Sequence, residues 1–536
     1  MRHLLSIVAS LACLTATNAM PGDVDADALP RMMTGAEIDW AAKNPGAAFK
    51  ALTSPPTGPL VATTEYQPSQ AILFGYSGTN GWKNIIAQMA KYITVDAQTE
   101  VWVIVTSSAQ QTDMTNRFTT YGANMSKVRA FTAPLNSIWA RDYGPRFIHE
   151  GGCRVIVDSS YYSSRPSDDA VPSFLAGALK MPYYATDLAH SGGNYHMAEG
   201  GTGYCTRLVV NDNTSKTETQ IKDIFKFYYG LFTQIWTQFP FSVDGTGHVD
   251  MWFIPVGPTS VIISDWPLNS GSTQDVICDT TAADMISRGW TVTRVPAYLV
   301  GGVHYTYTNA TICNNVVMIP SYTNATVTAS NATALAAWQA AMPGKTIVQV
   351  PCENIISAAG AMHCIMMQVP TSTGGNNPVT YVKNLNTAQT LTPGATVTVN
   401  WISDHVRTIS AVDIQLSTDG GATFSTIAAD EANDGAYTWT VPDIAASQAR
   451  VRVLAKDALG NTGGDMNDAD LVINGTQQRN GDLDGDGFVL GSDIALALLD
   501  WGACANVADC PADLDYDGTV GAGDIALFLL MFGDAV

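Results

Sequence analysis

The residues predict a multidomain chain: an α/β catalytic-type domain, then an all-β sandwich, then a small α domain built on cation-binding loops. Three observations carry this. From Val61, short strand-like runs such as Ala71-Ile72-Leu73-Phe74 and Val101-Trp102-Val103-Ile104-Val105 alternate with helix-like ones, the signature of α/β layering. Between Val379 and Gly475 the runs Thr396–Trp401, Val412–Ser417, Tyr437–Val441 and Arg450–Leu454 largely alternate polar and apolar positions between turns such as Asp419-Gly420-Gly421, which is sandwich patterning. From Asn480 a short acidic unit occurs twice.

The chain has 536 residues and a formal net charge of −21. That charge disfavours nucleic acid and anionic membrane surfaces as partners. It is concentrated in the tail, since residues 481–536 hold 11 Asp and neither Lys nor Arg. Residues 1–19 read as a secretion signal, with Arg2 and His3, an apolar run from Leu4 and small residues ending at Ala19. No other run is long and apolar enough to span a bilayer, so an exported, soluble protein is expected. Residues 20–60 are Pro-, Gly- and Ala-rich with weak periodicity and read as a partly ordered lead-in. In the domain over 61–370, Trp82 to Tyr92 places Ile85, Ile86, Met89 and Tyr92 near helical spacing. Pattern alone makes a doubly wound sheet the default.

The stretch with most chemistry is Ala358 to Pro370, where a Gly-containing turn delivers His363-Cys364 and an apolar run leads away. A thiol where a loop enters a strand is rigidly held yet reachable, which suits a nucleophile; a buried small hydrophobe is the plain alternative. Gly247-His248-Val249-Asp250 places an imidazole and a carboxylate two residues apart. If a strand, its period of two turns both to one side. Trp139-Ala140-Arg141-Asp142-Tyr143-Gly144-Pro145 adds a second acid, with an ion pair to Arg141 as the structural alternative. One Cys, one His and two Asp suit attack on a cationic carbon, the carboxylates clamping a planar cation and the imidazole moving protons. His248 and Asp250 also suit zinc, but no His-Glu-x-x-His or Cys-x-x-Cys pattern accompanies them.

These motifs, in this order and with Gly192-Gly193-Asn194 between them, resemble the bacterial peptidylarginine deiminase and agmatine deiminase family. The segment Thr64 to Leu73 is similar to that family's first strand, and the resemblance spans roughly Val61 to Pro370. It implies an α/β propeller of five pseudo-repeated units around a polar channel. It further implies hydrolysis of a C–N bond of a linear amidine, arginine to citrulline with release of ammonia, through a covalent intermediate on Cys364. His248 would handle protons, Asp142 and Asp250 would clamp the guanidinium, and Asn309 would steady the transition state. Asn309 also opens an Asn-x-Thr sequon, which would place it on a surface loop only in a glycosylating host. Trp139 and Asn194 are candidate substrate contacts. No cofactor is implied for catalysis.

The segment Tyr161 to Asp169 bears on substrate choice. The peptidylarginine branch has an Arg-Pro-Arg-Pro-like stretch there, whose arginines bind a terminal carboxylate; this chain has only Arg165, with Ser163 in the other position. An arginine-containing peptide or protein is therefore the expected substrate, with agmatine or free arginine as the alternative. An inactive, surface-docked scaffold is the alternative from another class, and the full set of four core residues argues against it.

After a linker over 371–378, the sandwich over 379–475 resembles immunoglobulin-like or fibronectin type III modules and is read as a spacer. In the domain over 480–536, Asp482, Asp484, Asp486 and Asp493, and again Asp513, Asp515, Asp517 and Asp524, fall at positions 1, 3, 5 and 12 of two loops with Gly at position 6. Oxygen ligands at these offsets wrap one calcium ion. The pair resembles a dockerin, which implies a cohesin-like or cell-surface partner. Cys504 and Cys510 bracket the link between the loops and form a candidate disulfide.

Overall fold

The computed structural model describes residues 28–44, 50, 52–475, 480–504, 510–515 and 517–535. The expected secretion signal lies outside the described residues.

The first domain consists of five separate sheets built on one recurring plan. An antiparallel pair is followed by a helical crossover to a third, parallel strand. Cys153–Ser160 pairs antiparallel with Arg146–Glu150 and parallel with Tyr183–Ala189. Thr202–Thr206 does the same between His196–Ala198 and Phe232–Trp236, and Ser260–Asp265 between Phe253–Gly257 and Thr291–Val300. Val316–Ser321 repeats it between Thr311–Cys313 and Thr346–Pro351. In the fifth sheet Ser69–Gly75 pairs parallel with Glu100–Val105 and antiparallel with Met366–Pro370. The last strand thus closes on the first long one, and a single open doubly wound sheet, the default of the pattern, is excluded. The crossover helices present apolar faces to their sheets: in Asn80–Lys91, Trp82, Ile85, Ile86 and Met89 are buried. The strands they cover are apolar almost throughout, Val101 to Val105 being buried without a break.

The lead-in contains more local structure than its weak periodicity indicates. Residues Leu29 to Asn44 form an ordered strap that ends in the helix Gly35–Lys43, with Thr34 and Glu37 making a reciprocal capping box. Weak periodicity concealed it because it is held by long-range polar contacts, not by an amphipathic face.

Beyond Pro370, two sheets of three and six strands share a core that includes Trp401, Val412, Ile414, Trp439, Val451 and Val453. Buried Arg154 of the first domain makes a two-point ion pair with Asp404 of this region, both bonds 2.9 Å. The tail contains the helices Gly491–Leu499 and Ala522–Leu530, and Cys504 and Cys510 are disulfide-bonded. Among the described residues, no helix is long and apolar enough to cross a membrane.

Candidate active site

Each unit of the five-sheet domain contributes one segment to a common centre, through the connections between successive sheets. These carry Asp142, Gly192–Asn194, His248 to Asp250, Asn309 and Cys364, and lie some fifty to sixty residues apart along the chain. His248 and Asp250 do not occupy a strand: Val249–Met251 is a single tight 3₁₀ turn, and the strand begins at Phe253. His363–Ile365 forms a similar turn before the strand Met366–Pro370.

Cys364 is buried. Its Sγ lies 3.2 Å from Asn309 Oδ1 and 3.7 Å from Asp250 Oδ2. Burial pushes the thiol well above its ordinary range; the two carboxylates add to this, and a nearby guanidinium opposes it. Asn309 is fully buried, donating to the Asp250 carbonyl at 3.2 Å and accepting from the Ala361 N–H at 3.1 Å. The surface loop suggested by its sequon is therefore excluded. The His248 ring is buried with neither nitrogen hydrogen-bonded, and Nδ1 stands 3.6 Å from Asp142 Oδ1. Burial, followed by the neighbouring cation, lowers its pKa.

That cation belongs to the strap. Arg31 Nε and Nη2 donate to Asp142 Oδ2 and Oδ1, both at 2.8 Å. On the other side, Nη1 and Nη2 donate to Asp250 Oδ1 and Oδ2 at 3.0 and 2.9 Å. Two carboxylates thus grip one buried guanidinium by four charge-assisted bonds. Burial alone would raise the Asp250 carboxyl; Arg31 and His363 instead hold it far below its ordinary range. Gly193 makes room for this: a Cβ there would overlap Arg31 Nη2 and Asp142 Oδ1.

Arg165 is buried against the same strap. Nε donates to Glu37 Oε1 at 2.7 Å, and Nη2 to the carbonyls of Pro30 and Met32 at 2.8 and 3.1 Å. The carboxylate it holds is therefore the chain's own, and it also reads the backbone on either side of Arg31. Trp139 contributes through its indole N–H, which donates to the Leu29 carbonyl at 2.9 Å. The hydrogen bonds of Asn194 go to Thr206 and Val249, not to the strap's guanidinium. Its Oδ1 accepts from Thr206 and Val249 backbone N–H groups, so it orders the His248–Asp250 turn.

Sequence reasoning missed four groups. Arg31 carried no local signal. Glu65 lies in a segment whose sequence suggests only a strand, and no local pattern assigns His363 or Arg141 a part in the site. His363 spans Asp250 Oδ2 and Glu65 Oε2, 2.8 Å from each. Arg141 Nη1 bonds Glu65 Oε1 at 2.9 Å and not Asp142, so the Arg141–Asp142 ion pair is excluded. Glu65, His196 and His363 offer three donor atoms within 4.8 Å of one another, but Arg141 already supplies positive charge at Glu65.

The tail loops gather carboxylates as well. Oxygens of Asp513, Asp515, Asp517 and Asp524 lie within 4.8 Å of one another, as do those of Asp482, Asp484 and Asp493. Asp486 is in the first loop but outside that cluster; its Oδ1 accepts from the Phe488 N–H. Burial, and then its carboxylate neighbours, raise the Asp515 carboxyl. This all-oxygen donor set fits a hard divalent cation.

Five sheets closed over a thiol and two acids that clamp a guanidinium define a deiminase-type protein. The profile of the Porphyromonas-type peptidyl-arginine deiminase family matches residues 62–370, and the chain belongs to that family. A Vibrio parahaemolyticus protein named "Putative agmatine deiminase" is 26% identical over 290 residues, 46% of this chain and 79% of that protein. The structure of an agmatine deiminase of Enterococcus faecalis is similar in fold, with a TM-score of 0.52 at 19% identity, covering 60% of this chain and 99% of that one. A substrate-bound agmatine deiminase from C. jejuni has a TM-score of 0.51 at 17% identity, covering 59% and 97%. The chain is accordingly a hydrolase acting on C–N bonds of amidine groups.

Proposed function

We propose that the protein deiminates peptidyl-arginine to peptidyl-citrulline and accepts arginines inside a chain. One observation carries this: the site holds an arginine that is part of a continuous backbone, with Arg165 on the carbonyls before and after it. A reader of free amino acid or amine would have no use for those two bonds.

The chemistry follows from the residues. A guanidinium is delocalised and stays protonated near neutral pH, so its carbon is a poor electrophile in water. Asp142 and Asp250 fix it as a cation in a desolvated site. The same cation favours the Cys364 thiolate, offsetting part of what burial costs it, and the thiol proton passes to neutral His248, which holds it for the leaving group. Sulfur adds to the central carbon, His248 protonates the departing nitrogen, and ammonia leaves. His248, uncharged because its pKa is lowered, then takes a proton from the water that displaces sulfur. Asn309, 3.2 Å from the sulfur, steadies the polar adduct.

The relatives named agmatine deiminases favour a second reading, deimination of a small guanidino compound. Ammonia release from agmatine, free arginine, and peptides with internal or C-terminal Arg decides between them. Turnover of agmatine far above every peptide would reverse our reading.

For the rest of the chain we propose export by the residue 1–19 signal, a spacer role for the immunoglobulin-like or fibronectin III-like region, and calcium binding in a dockerin-like tail that docks to a cohesin-like or surface partner. Residues Asp482, Asp484, Asp486 and Asp493, with Asp513, Asp515, Asp517 and Asp524, would hold the two ions.

A further inference from the structure

We propose that Arg31 is a substrate of its own chain: Cys364 deiminates it in cis, and the loss of its charge frees a strap that otherwise fills the active site. The inference rests on the peptidyl-arginine reading and extends it to a modification site.

The strap is seated as a substrate would be. Its guanidinium takes all four carboxylate oxygens of Asp142 and Asp250. Asp250 Oδ2, which Arg31 Nη2 approaches at 2.9 Å, is also the oxygen 3.7 Å from Cys364 Sγ. The Arg31 N–H donates to the Ala358 carbonyl at 3.0 Å, tying the strap to the loop that carries the thiol. Trp139 and Arg165 hold the carbonyls of Leu29, Pro30 and Met32. Both Arg31 and Glu37 are fully buried, so no external arginine enters while the strap is in place.

The step balances without a further reagent. The Cys364 thiolate adds to the central carbon of Arg31, and one terminal C–N bond breaks, its nitrogen leaving as ammonia with a proton from the site. Water then displaces the sulfur, leaving a ureido C=O and a restored thiol. The citrulline so formed is neutral. It cannot balance the two buried carboxylates, and an uncompensated buried acid is strongly unfavourable. The strap therefore loses its anchor in the clamp upon its own turnover, and only the Arg165–Glu37 pair and the backbone bonds are left to hold it.

The test is peptide mapping by mass spectrometry of the full-length protein beside Cys364→Ala, with Cys364→Ser as a second inactive form should the first misfold. Expected is citrulline at residue 31 in the wild type and arginine in both variants. Mixing unlabelled wild type with isotope-labelled Cys364→Ala should leave labelled Arg31 unchanged; citrulline in the labelled chain would overturn reaction in cis. Wild type that citrullinates added peptides yet keeps arginine at 31 overturns the inference and leaves the peptidyl-arginine reading standing. Wild type that deiminates neither removes both.

Discussion

Arg165 and Glu37 form a fully buried ion pair, Nε to Oε1 at 2.7 Å and Nη2 to Oε2 at 3.1 Å, that fastens the strap carrying Arg31. The same guanidinium binds backbone carbonyls, so its removal has two effects. Arg165→Ala loosens the strap, which raises access for all substrates alike, and it deletes bonds only a peptide makes. Charge-assisted bonds of this kind are worth about 1.5–3 kcal/mol, or roughly tenfold to a hundredfold. The ratio of kcat/KM for an internal-arginine peptide to that for agmatine should fall by at least roughly tenfold. An unchanged ratio would separate Arg165 from substrate recognition.

Cys364→Ala should abolish ammonia release from every substrate. In the proposed mechanism the sulfur acts with His248 as one unit, so removing it removes the contribution of both. Its small volume and its weak thiol contacts, to Asn309 and Asp250, mean the thermal midpoint should stay close to that of the wild type. Appreciable residual turnover would refute covalent catalysis by this residue.

Gly193→Ala tests the clamp without touching an ionisable group. The added methyl would occupy the space of a guanidinium nitrogen and one Asp142 oxygen. Displacing either by about 1 Å should cost on the order of a hundredfold in kcat/KM. Circular dichroism should show the fold retained, and near-normal activity would mean that substrates bind elsewhere.

The pH profile follows from two opposite shifts. Burial raises the Cys364 thiol, so thiolate accumulates as pH rises; burial lowers His248, so its imidazole is already neutral below the usual histidine range. The thiol, not the imidazole, should therefore set the acid limb. A bound guanidinium stabilises the thiolate. In the Arg31→Ala variant, whose free site holds no strap cation, the limb in kcat should lie at lower pH than that in kcat/KM. Activity that declines from neutral to alkaline pH would contradict this order.

The tail and the catalytic centre should respond separately to chelation. Clustered carboxylates in the two loops repel one another unless a cation sits between them; at Asp515 burial, and then the neighbouring carboxylates, raise the carboxyl. EDTA should lower the unfolding temperature of residues 480–536 and leave ammonia release unchanged; calcium should restore the former. Loss of deiminase activity on chelation, reversed by calcium, would tie the metal to the active site instead.

The strand-helix alternation, the doubled acidic loops and the segments around Asp142, His248, Asp250 and Cys364 could be found in the residues alone, because each is a local pattern, whereas Asn309 is singled out only by the family resemblance. Strand character at Val101–Val105 and a helical face through Ile85, Ile86 and Met89 need no partner to be seen. The five-fold plan could not, since its units share strand pairing and not sequence, and it closes only when Met366–Pro370 meets Ser69–Gly75. The strap was hidden for the same reason. Arg31 lies 111 residues from Asp142 and 219 from Asp250, and nothing near Arg31 in the chain marks it as different from any surface arginine. The burial that makes it a bound guanidinium, and makes Arg165 a reader of its backbone, arises only from the tertiary convergence of two carboxylates from separate sheet connections.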